Sequence, residues 1–466
     1  MSAEGQQPAD AGLDADISSR PPRTGLLTDH YELTMIRAAL ASGAARRRAV
    51  FEIFARQLPG RRRYGVVAGT GRFLRALEAF RFSPGDLEYL SRAGIINDAT
   101  AGFLASYRFT GDIWGYAEGD CYFPGSPILV VEATFAEAVV LETLALSIFN
   151  HDCAIASAAS RMVAAAGVRP IIEMGSRRTH EQAAVAAARA AYMAGFAATS
   201  NLRAGLDYGV PTTGTSAHAF TLVHDDERQA FRVQLDALGT GTTLLVDTYD
   251  VTEAVAVAVE LAGPGLGAVR IDSGDFAELA RAVRAQLDAV GATGTRIIIT
   301  GDLDEHSITA LASAPVDGYG VGTALVTGSG VPTATLVYKL VARADADGEL
   351  RPVAKHSVGK PTIGGRKWAV RTLDDNGRAT AEVVSTSPPA SQEGQRNDLK
   401  PGGRVLLQQL VKNGEIVGDE PLGAARERHR QALSELPPGG LRLSRGDPAI
   451  PTLIGPAANA RRKQPE

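Results

Sequence analysis

Seven short apolar runs in the middle of the chain each stop at residues able to do chemistry. Arg177 and Arg178 follow the first run, Ser200 and Asn201 the second, Thr215 and His218 the third. Asp247 closes the fourth, Asp272 and Ser273 the fifth, Gly301 and Asp302 the sixth, Gly322 and Thr323 the seventh. Among the eight histidines, His218 is the best candidate nucleophile or base, because it follows a strand-like run and the Gly/Thr turn Pro211-Thr-Thr-Gly-Thr-Ser-Ala-His218. His151, His180, His224, His306, His356 and His429 read as surface or packing residues. Three segments set glycine beside a hydroxyl or carboxylate: Asp272-Ser-Gly-Asp275, Thr300-Gly-Asp302 and Tyr319-Gly-Val-Gly-Thr323. Glycine lets backbone N–H groups close on phosphate oxygens, so together they point to a phosphorylated substrate. Asp247, Asp250, Asp272, Asp275 and Asp302 carry the hard oxygens that Mg²⁺ prefers, and no His/Cys zinc pattern is present. Mg²⁺ carried by substrate phosphates fits this better than a metal site built by the protein.

The elements that must position these residues are strands alternating with helices. The spacing predicts strands at Arg169–Met174, Gly195–Thr199, Val210–Thr213, Thr243–Asp247, Ala268–Asp272, Arg296–Thr300 and Gly318–Val321. It predicts helices at Glu181–Met193, Thr252–Leu261, Phe276–Val290 and Asp304–Ala312. Repeated strand–helix units give a parallel sheet with helices outside, and the strand count suggests a barrel-like closure, with an open sheet as the alternative. In such folds the carboxyl ends of the strands share one face, so the polar residues should converge there. The competing reading is that Asp and Ser at these positions only cap the following helices.

This α/β barrel-like region is expected over residues 131–349. Residues 24–130 mix Arg, aromatics and turn signals, with helical runs at Tyr31–Leu40 and Thr70–Phe80; residues 350–430 hold strand-like runs at Lys367–Leu373 and Arg404–Val411. Together they read as an α+β flanking domain built from both ends of the chain. Residues 1–23 and 436–466 read as loose tails.

Composition narrows the classes. The 466 residues are 45% hydrophobic and 21% charged, which describes a chain with a sizeable core. A net charge of −4 argues against a broad nucleic-acid or anionic-membrane footprint. No stretch reads as a membrane span and the N-terminus has no signal-like apolar run, so a cytoplasmic protein is expected. Cys121 and Cys153 are too few for a disulfide framework. The first lysine is Lys339, so residues 1–338 hold no Schiff-base or phosphate-loop lysine.

Nine segments, in order, resemble the nicotinate phosphoribosyltransferase family. They are Leu26-Leu-Thr-Asp-His-Tyr-Glu-Leu-Thr-Met35, Phe51-Glu-Ile-Phe-Ala-Arg56, Glu173-Met-Gly-Ser-Arg-Arg178, Thr199-Ser-Asn201, Gly214-Thr-Ser-Ala-His218, Asp247-Thr-Tyr-Asp250, Val269-Arg-Ile-Asp-Ser-Gly-Asp275, Gly301-Asp302 and Gly320-Val-Gly-Thr323. The resemblance spans about residues 24–410. It implies the type II phosphoribosyltransferase fold: an irregular α/β barrel with a flanking α+β domain, as a homodimer with shared active sites. It implies that nicotinate and phosphoribosyl pyrophosphate give nicotinate mononucleotide and pyrophosphate in NAD salvage, with ATP as co-substrate and Mg²⁺ required.

The resemblance also implies roles. His218 takes a phosphoryl group from ATP, and Asp247 holds its imidazole. Arg270 meets the nicotinate carboxylate, with Thr215 on the same ligand. Tyr31, from the neighbouring subunit, stacks on the pyridine ring. Asp272 and Ser273 touch the ribose or pyrophosphate, and Arg177 the pyrophosphate. Gly301, Asp302, Gly322 and Thr323 cradle the 5′-phosphate. Lys360 matches a family position without an assigned role. Ser200 replaces the aspartate of the related nicotinamide enzymes, which would repel a carboxylate ligand. Met174 departs from the pattern, standing where the nicotinamide enzyme has a stacking aromatic.

Rival readings are a nicotinamide phosphoribosyltransferase, which Ser200 opposes, and a quinolinate enzyme, whose family uses site lysines. A barrel aldolase or phosphosugar isomerase does not explain His218 together with the Tyr31 segment. A non-catalytic NAD-precursor sensor of the same fold would be signalled by loss of His218, Asp247 or Arg270, and all three are present.

Overall fold

The computed structural model describes residues 23–355, 363–388 and 403–455. Six of the seven expected strands form one parallel sheet. Their spatial order is Ala198–Thr199, Ile171–Glu173, Gly318–Val321, Arg296–Gly301, Ala268–Ile271 and Thr243–Leu245. The seventh run contributes only a bridge between Thr199 and Thr212. Pro211 has no N–H to give to a ladder, and a Gly/Thr turn follows at once. The sheet therefore curls into a half-barrel that stays open between Thr212 and Thr243, which agrees with the expected irregular α/β barrel.

Helices Glu181–Met193, Val251–Ala262, Phe276–Ala289 and Glu305–Ala310 lie close to the expected bounds. Their buried positions recur at helical spacing, as in Ala254, Val255 and Ala258, or Ala280, Val283 and Leu287.

A second, seven-stranded antiparallel sheet is assembled from distant parts of the chain. Its order is Leu350–Pro352, Leu336–Ala344, Arg48–Ala55, Leu129–Thr134, Asp112–Tyr116, Leu407–Lys412 and Glu415–Ile416. This corrects the expected division of the chain. Residues 131–134 and 336–344, read as barrel, pair on either side of Arg48–Ala55 instead. A four-stranded sheet of Gly403–Val405, Trp368–Leu373, Ala379–Ser385 and Thr452–Ile454 adjoins it.

The expected loose tail from Leu436 is also corrected over residues 436–455. Leu436 and Ile450 are buried, Thr452–Ile454 pairs in parallel with Ala379–Ser385, and Ala449 N–H donates to the Arg63 carbonyl at 2.7 Å. Residues 1–22 and 456–466, the remainder of the expected tails, lie outside the described residues.

Two apolar cores result, one under each large sheet, and the 25-residue helix Glu142–Ala166 feeds both. Its N-terminal half gives Leu144, Ile148 and Phe149 to the first, and its C-terminal half gives Ile155, Ala159 and Met162 to the second. Contrary to the sequence reading, one stretch, Phe135–Ala166, is long and apolar enough to cross a bilayer by length and composition. Its most apolar window is 67% buried inside the protein, where it serves as core.

Candidate active site

At the carboxyl ends of the parallel strands the polar residues divide into two groups. Asn201, Asp250, Asp275 and Asp304 each accept backbone N–H groups of the helix that follows, so capping accounts for them. Asp247, Asp272 and Asp302 cap nothing, and two of them build a hydrogen-bonded network.

The network begins at His218, the first residue of the helix His218–Leu222. Its Nε2 lies 3.1 Å from Asp247 Oδ1. The other Asp247 oxygen accepts the Asp272 backbone N–H at 2.9 Å and the Ser273 hydroxyl at 2.7 Å. Asp247 is thus fixed on both oxygens and its side chain is only 3% exposed, against 39% for His218. Asp272 Oδ1 accepts from Arg270 Nη2 at 3.0 Å and from the Thr300 hydroxyl. Burial pushes the Asp272 carboxyl up, but the hydrogen bonds of Thr300 and Arg270 and the charges of Arg270 and His218 outweigh it and hold the group below the usual carboxylate range. Arg270 also donates from Nε to Thr300 Oγ1 at 2.8 Å, and from Nη1 to Thr215 Oγ1 at 2.6 Å and the Ser216 carbonyl at 3.1 Å. Of its five N–H groups, four are engaged within the protein. His218 and Arg270 therefore belong to one continuous network, joined through Asp247 and Asp272.

Beside this network lies a cavity of about 180 Å³. Arg177, Arg178 and Arg270 give it positive charge, and Asp272, Thr300, Asp302 and Thr323 supply oxygens. Arg177 and Arg178 are exposed and pair with no carboxylate among the described residues, so both are available to an anion. Gly301, Gly320 and Gly322 complete the lining with Met174. A Cβ on Gly320 would stand 2.5 Å from Thr300 Cγ2 and 2.8 Å from Met174 Sδ, so no side chain fits there. Gly301 has φ +131°, a conformation that favours glycine. A larger cavity of about 430 Å³ adjoins it and shares Asp302 and Thr323. Among the described residues no group of three His, Cys, Asp or Glu is placed to hold a metal ion.

The buried Glu173 organises the adjoining turns. Its carboxylate accepts the Gly175 N–H and the Thr199 hydroxyl, and its carbonyl accepts the Ser200 N–H at 2.8 Å. This sets the Met174–Arg178 turn beside that of Ser200. The Ser200 side chain is half-buried and does not line the cavity. Tyr31 stands apart from the network. It is 45% exposed on the helix His30–Ser42, where burial and the carboxylates of Glu142, Glu32 and Asp29 push its phenol up. Lys360 lies outside the described residues.

Sequence reasoning gave no role to Thr300, which bonds both Arg270 and Asp272; its place beside Gly301 and Asp302 was the available signal. Glu173 was missed as an organiser, because an acid inside a strand gives no local sign of the turns it will hold.

Residues 26–150 match the nicotinate phosphoribosyltransferase N-terminal domain, and residues 170–376 match the nicotinate phosphoribosyltransferase family. The chain is 57% identical to nicotinate phosphoribosyltransferase pncB1 of Mycobacterium tuberculosis, over 97% of this chain and 100% of that protein. It is 37% identical to nicotinate phosphoribosyltransferase of Bacillus subtilis, over 75% of this chain and 74% of the relative. The crystal structure of human nicotinic acid phosphoribosyltransferase superposes with a TM-score of 0.77 at 26% identity, covering 92% of this chain and 97% of the human chain. The sheet-end network thus sits in a chain that belongs to the nicotinate phosphoribosyltransferase family.

Proposed function

We propose that this protein transfers the phosphoribosyl group of phosphoribosyl pyrophosphate to nicotinate, giving nicotinate mononucleotide and pyrophosphate, in the salvage of nicotinate toward NAD. The observation that carries the reading is the unbroken network from His218 through Asp247 and Asp272 to Arg270, beside a cavity bearing two arginines that pair with no carboxylate among the described residues.

The pyridine nitrogen attacks the ribose anomeric carbon while pyrophosphate leaves from the opposite face. Positive charge grows on the sugar and negative charge on the departing phosphates. Arg177 and Arg178 meet the phosphates, and Asp272, kept ionised by Arg270 and Thr300, faces the sugar. Arg270 receives the nicotinate carboxylate, exchanging some of its internal hydrogen bonds for ligand oxygens. Asp302 is exposed at the cavity edge with no hydrogen bond to another described residue, so it fits Mg²⁺ brought by the substrate phosphates. An ion held there would supply neutralisation of the charge that builds on the departing phosphates.

ATP enters this reading through His218. Asp247 takes the Nε2–H, which leaves the Nδ1 lone pair free. Nδ1 attacks the γ-phosphorus of ATP, the bond to the bridging oxygen breaks, and ADP departs. Water later cleaves the phosphohistidine to phosphate and restores the imidazole. The ring-stacking Tyr31 lines no part of its own chain's cavity, and in this reading it reaches the cavity of a second copy in a homodimer. In this reading the enzyme works in the cytoplasm.

The test is an assay of nicotinate against nicotinamide, each with phosphoribosyl pyrophosphate and Mg²⁺, with and without ATP. The expected result is nicotinate mononucleotide, stimulated by ATP. Preference for nicotinamide would overturn the assignment of the substrate and the role given to Ser200.

A further inference from the structure

Capping accounts for only half of the Asn201 side chain. Its Oδ1 accepts the Ala204 N–H at 2.8 Å and caps the helix Leu202–Tyr208. That bond fixes the orientation of the amide, so the opposite end is Nδ2, which donates across to Ser176 Oγ at 2.9 Å. An aspartate would cap the helix equally well but carries no donor. Asn201 and Ser176 follow neighbouring parallel strands, Ala198–Thr199 and Ile171–Glu173, and the bond between them closes a ring. The Asn201 N–H donates to Thr199 Oγ1 at 2.9 Å, and the Thr199 hydroxyl donates to the Glu173 carboxylate. The other Glu173 oxygen accepts the N–H of Gly175, beside Ser176. Glu173 and Thr199 are fully buried, whereas Asn201 and Ser176 are half-buried. The Gly175 carbonyl accepts the Arg178 N–H at 2.8 Å, so the turn held by the ring is the one that bears Arg177 and Arg178. On its other side the turn is closely packed: a Cβ on Gly175 would collide with Val326 Cγ1.

We propose that Asn201 is a positioning residue for phosphate binding, which through Ser176 holds the Ser176–Arg178 turn so that Arg177 and Arg178 meet the pyrophosphate together. The inference rests on the reading of the cavity as the phosphate site. Both arginines are exposed, line that cavity and pair with no carboxylate among the described residues, so the backbone of the turn sets the direction in which they leave the surface. A turn free to shift would add its own ordering to the cost that two long side chains already meet when they close on an anion. Arg270, which receives nicotinate in the proposed reaction, stands three strands further along the sheet and shares no hydrogen bond with the ring. The effect of the ring is therefore confined to the phosphates.

Two variants break the Asn201–Ser176 bond from opposite sides and keep the helix cap. Ser176→Ala removes the acceptor and leaves Asn201 in place. Asn201→Ser keeps a good N-cap and is too short to reach Ser176. Binding of inorganic pyrophosphate with Mg²⁺ is measured by calorimetry on the full-length protein, with a thermal melt of each variant. Each should weaken pyrophosphate by about three- to tenfold, the worth of one neutral hydrogen bond. The double variant should bind no more weakly than either single one, because the same bond is lost once. In steady-state kinetics KM for phosphoribosyl pyrophosphate should rise by a similar factor, with kcat and KM for nicotinate changed by less than about twofold. Wild-type affinity in both variants, or additive losses in the double variant, would overturn the proposal. So would equal rises in both KM values, which a general loosening of the fold would produce. If the wild type itself binds no pyrophosphate, the reading of the cavity fails and the proposal with it. If it binds and the variants bind as tightly, the cavity reading stands and the role of Asn201 is what fails.

Discussion

Arg270 and Asp272, two positions apart at one strand end, are bonded to each other, Arg270 Nη2 donating to Asp272 Oδ1 at 3.0 Å. Alternate side chains of a strand share a face, so the two point together into the mouth while Val269 and Ile271 sink fully into the core. Thr300, on the neighbouring strand, bonds both. Guanidinium, carboxylate and hydroxyl are thus held as one hydrogen-bonded unit on two paired strands.

Arg270→Lys keeps the charge and loses the fork that joins Thr215, Thr300 and Asp272. It should lower kcat/KM for nicotinate by about 100-fold, near 3 kcal/mol, mostly through KM. Steady-state kinetics on folded protein checks this; a loss of less than threefold would remove Arg270 from the carboxylate site.

Asp247→Asn leaves an acceptor beside His218 and removes the charge. Labelling of the protein by [γ-³²P]ATP should slow by about 100-fold or more, whereas Ser273→Ala, which removes one hydrogen bond to Asp247, should cost about tenfold or less. Equal effects of the two variants would mean that Asp247 acts through packing and not through charge.

Gly320→Ala places a methyl against Thr300 and Met174. The displaced Thr300 should loosen both Arg270 and Asp272, so activity should fall by about tenfold or more, with a destabilisation of about 1–3 kcal/mol. A thermal melt and a kcat/KM measured together separate this from simple unfolding.

His429 gives a pH prediction. Its ring is fully buried between the Gly119 carbonyl and Ser160 Oγ, and burial pushes it down to about 4. The neutral ring is native, while the unfolded chain protonates near 6.5. Its contribution is therefore complete above pH 6.5 and drains away as pH falls toward 4, by about 3 kcal/mol in all. Chemical denaturation between pH 4 and 7 should show this loss, and His429→Gln should flatten it.

If Tyr31 serves a second copy of the chain, then Tyr31→Ala and His218→Ala damage different chains of one site. Co-expressed, the two weakened variants should form mixed dimers in which one site is intact, restoring roughly a quarter of wild-type sites after random pairing. Activity no greater than the mean of the two parents would place Tyr31 outside the shared site.

The parallel sheet was legible because each strand is a short apolar run that ends abruptly in polar or glycine residues. The helices between them carry their own periodicity and caps. What stayed hidden is non-local. Leu129–Thr134 and Leu336–Ala344 look like further strand–helix material until Arg48–Ala55 is seen between them. Pro- and Gly-rich residues after Leu436 read as loose, yet Arg61 and Arg63 carbonyls pin Gly446 and Ala449. In the site, His218, Asp247 and Asp272 were legible as strand-end residues, whereas Arg270, inside its strand, was singled out only through the family resemblance. The division between capping and network aspartates was not, because it depends on which neighbour each carboxylate reaches after folding.

The helix Glu142–Ala166 runs through both apolar interiors. Pulling it from one strips the other of its packing, so heat should melt the molecule in a single calorimetric step. A fragment cut within that helix would inherit two half-filled interiors, and neither piece should persist as a soluble product.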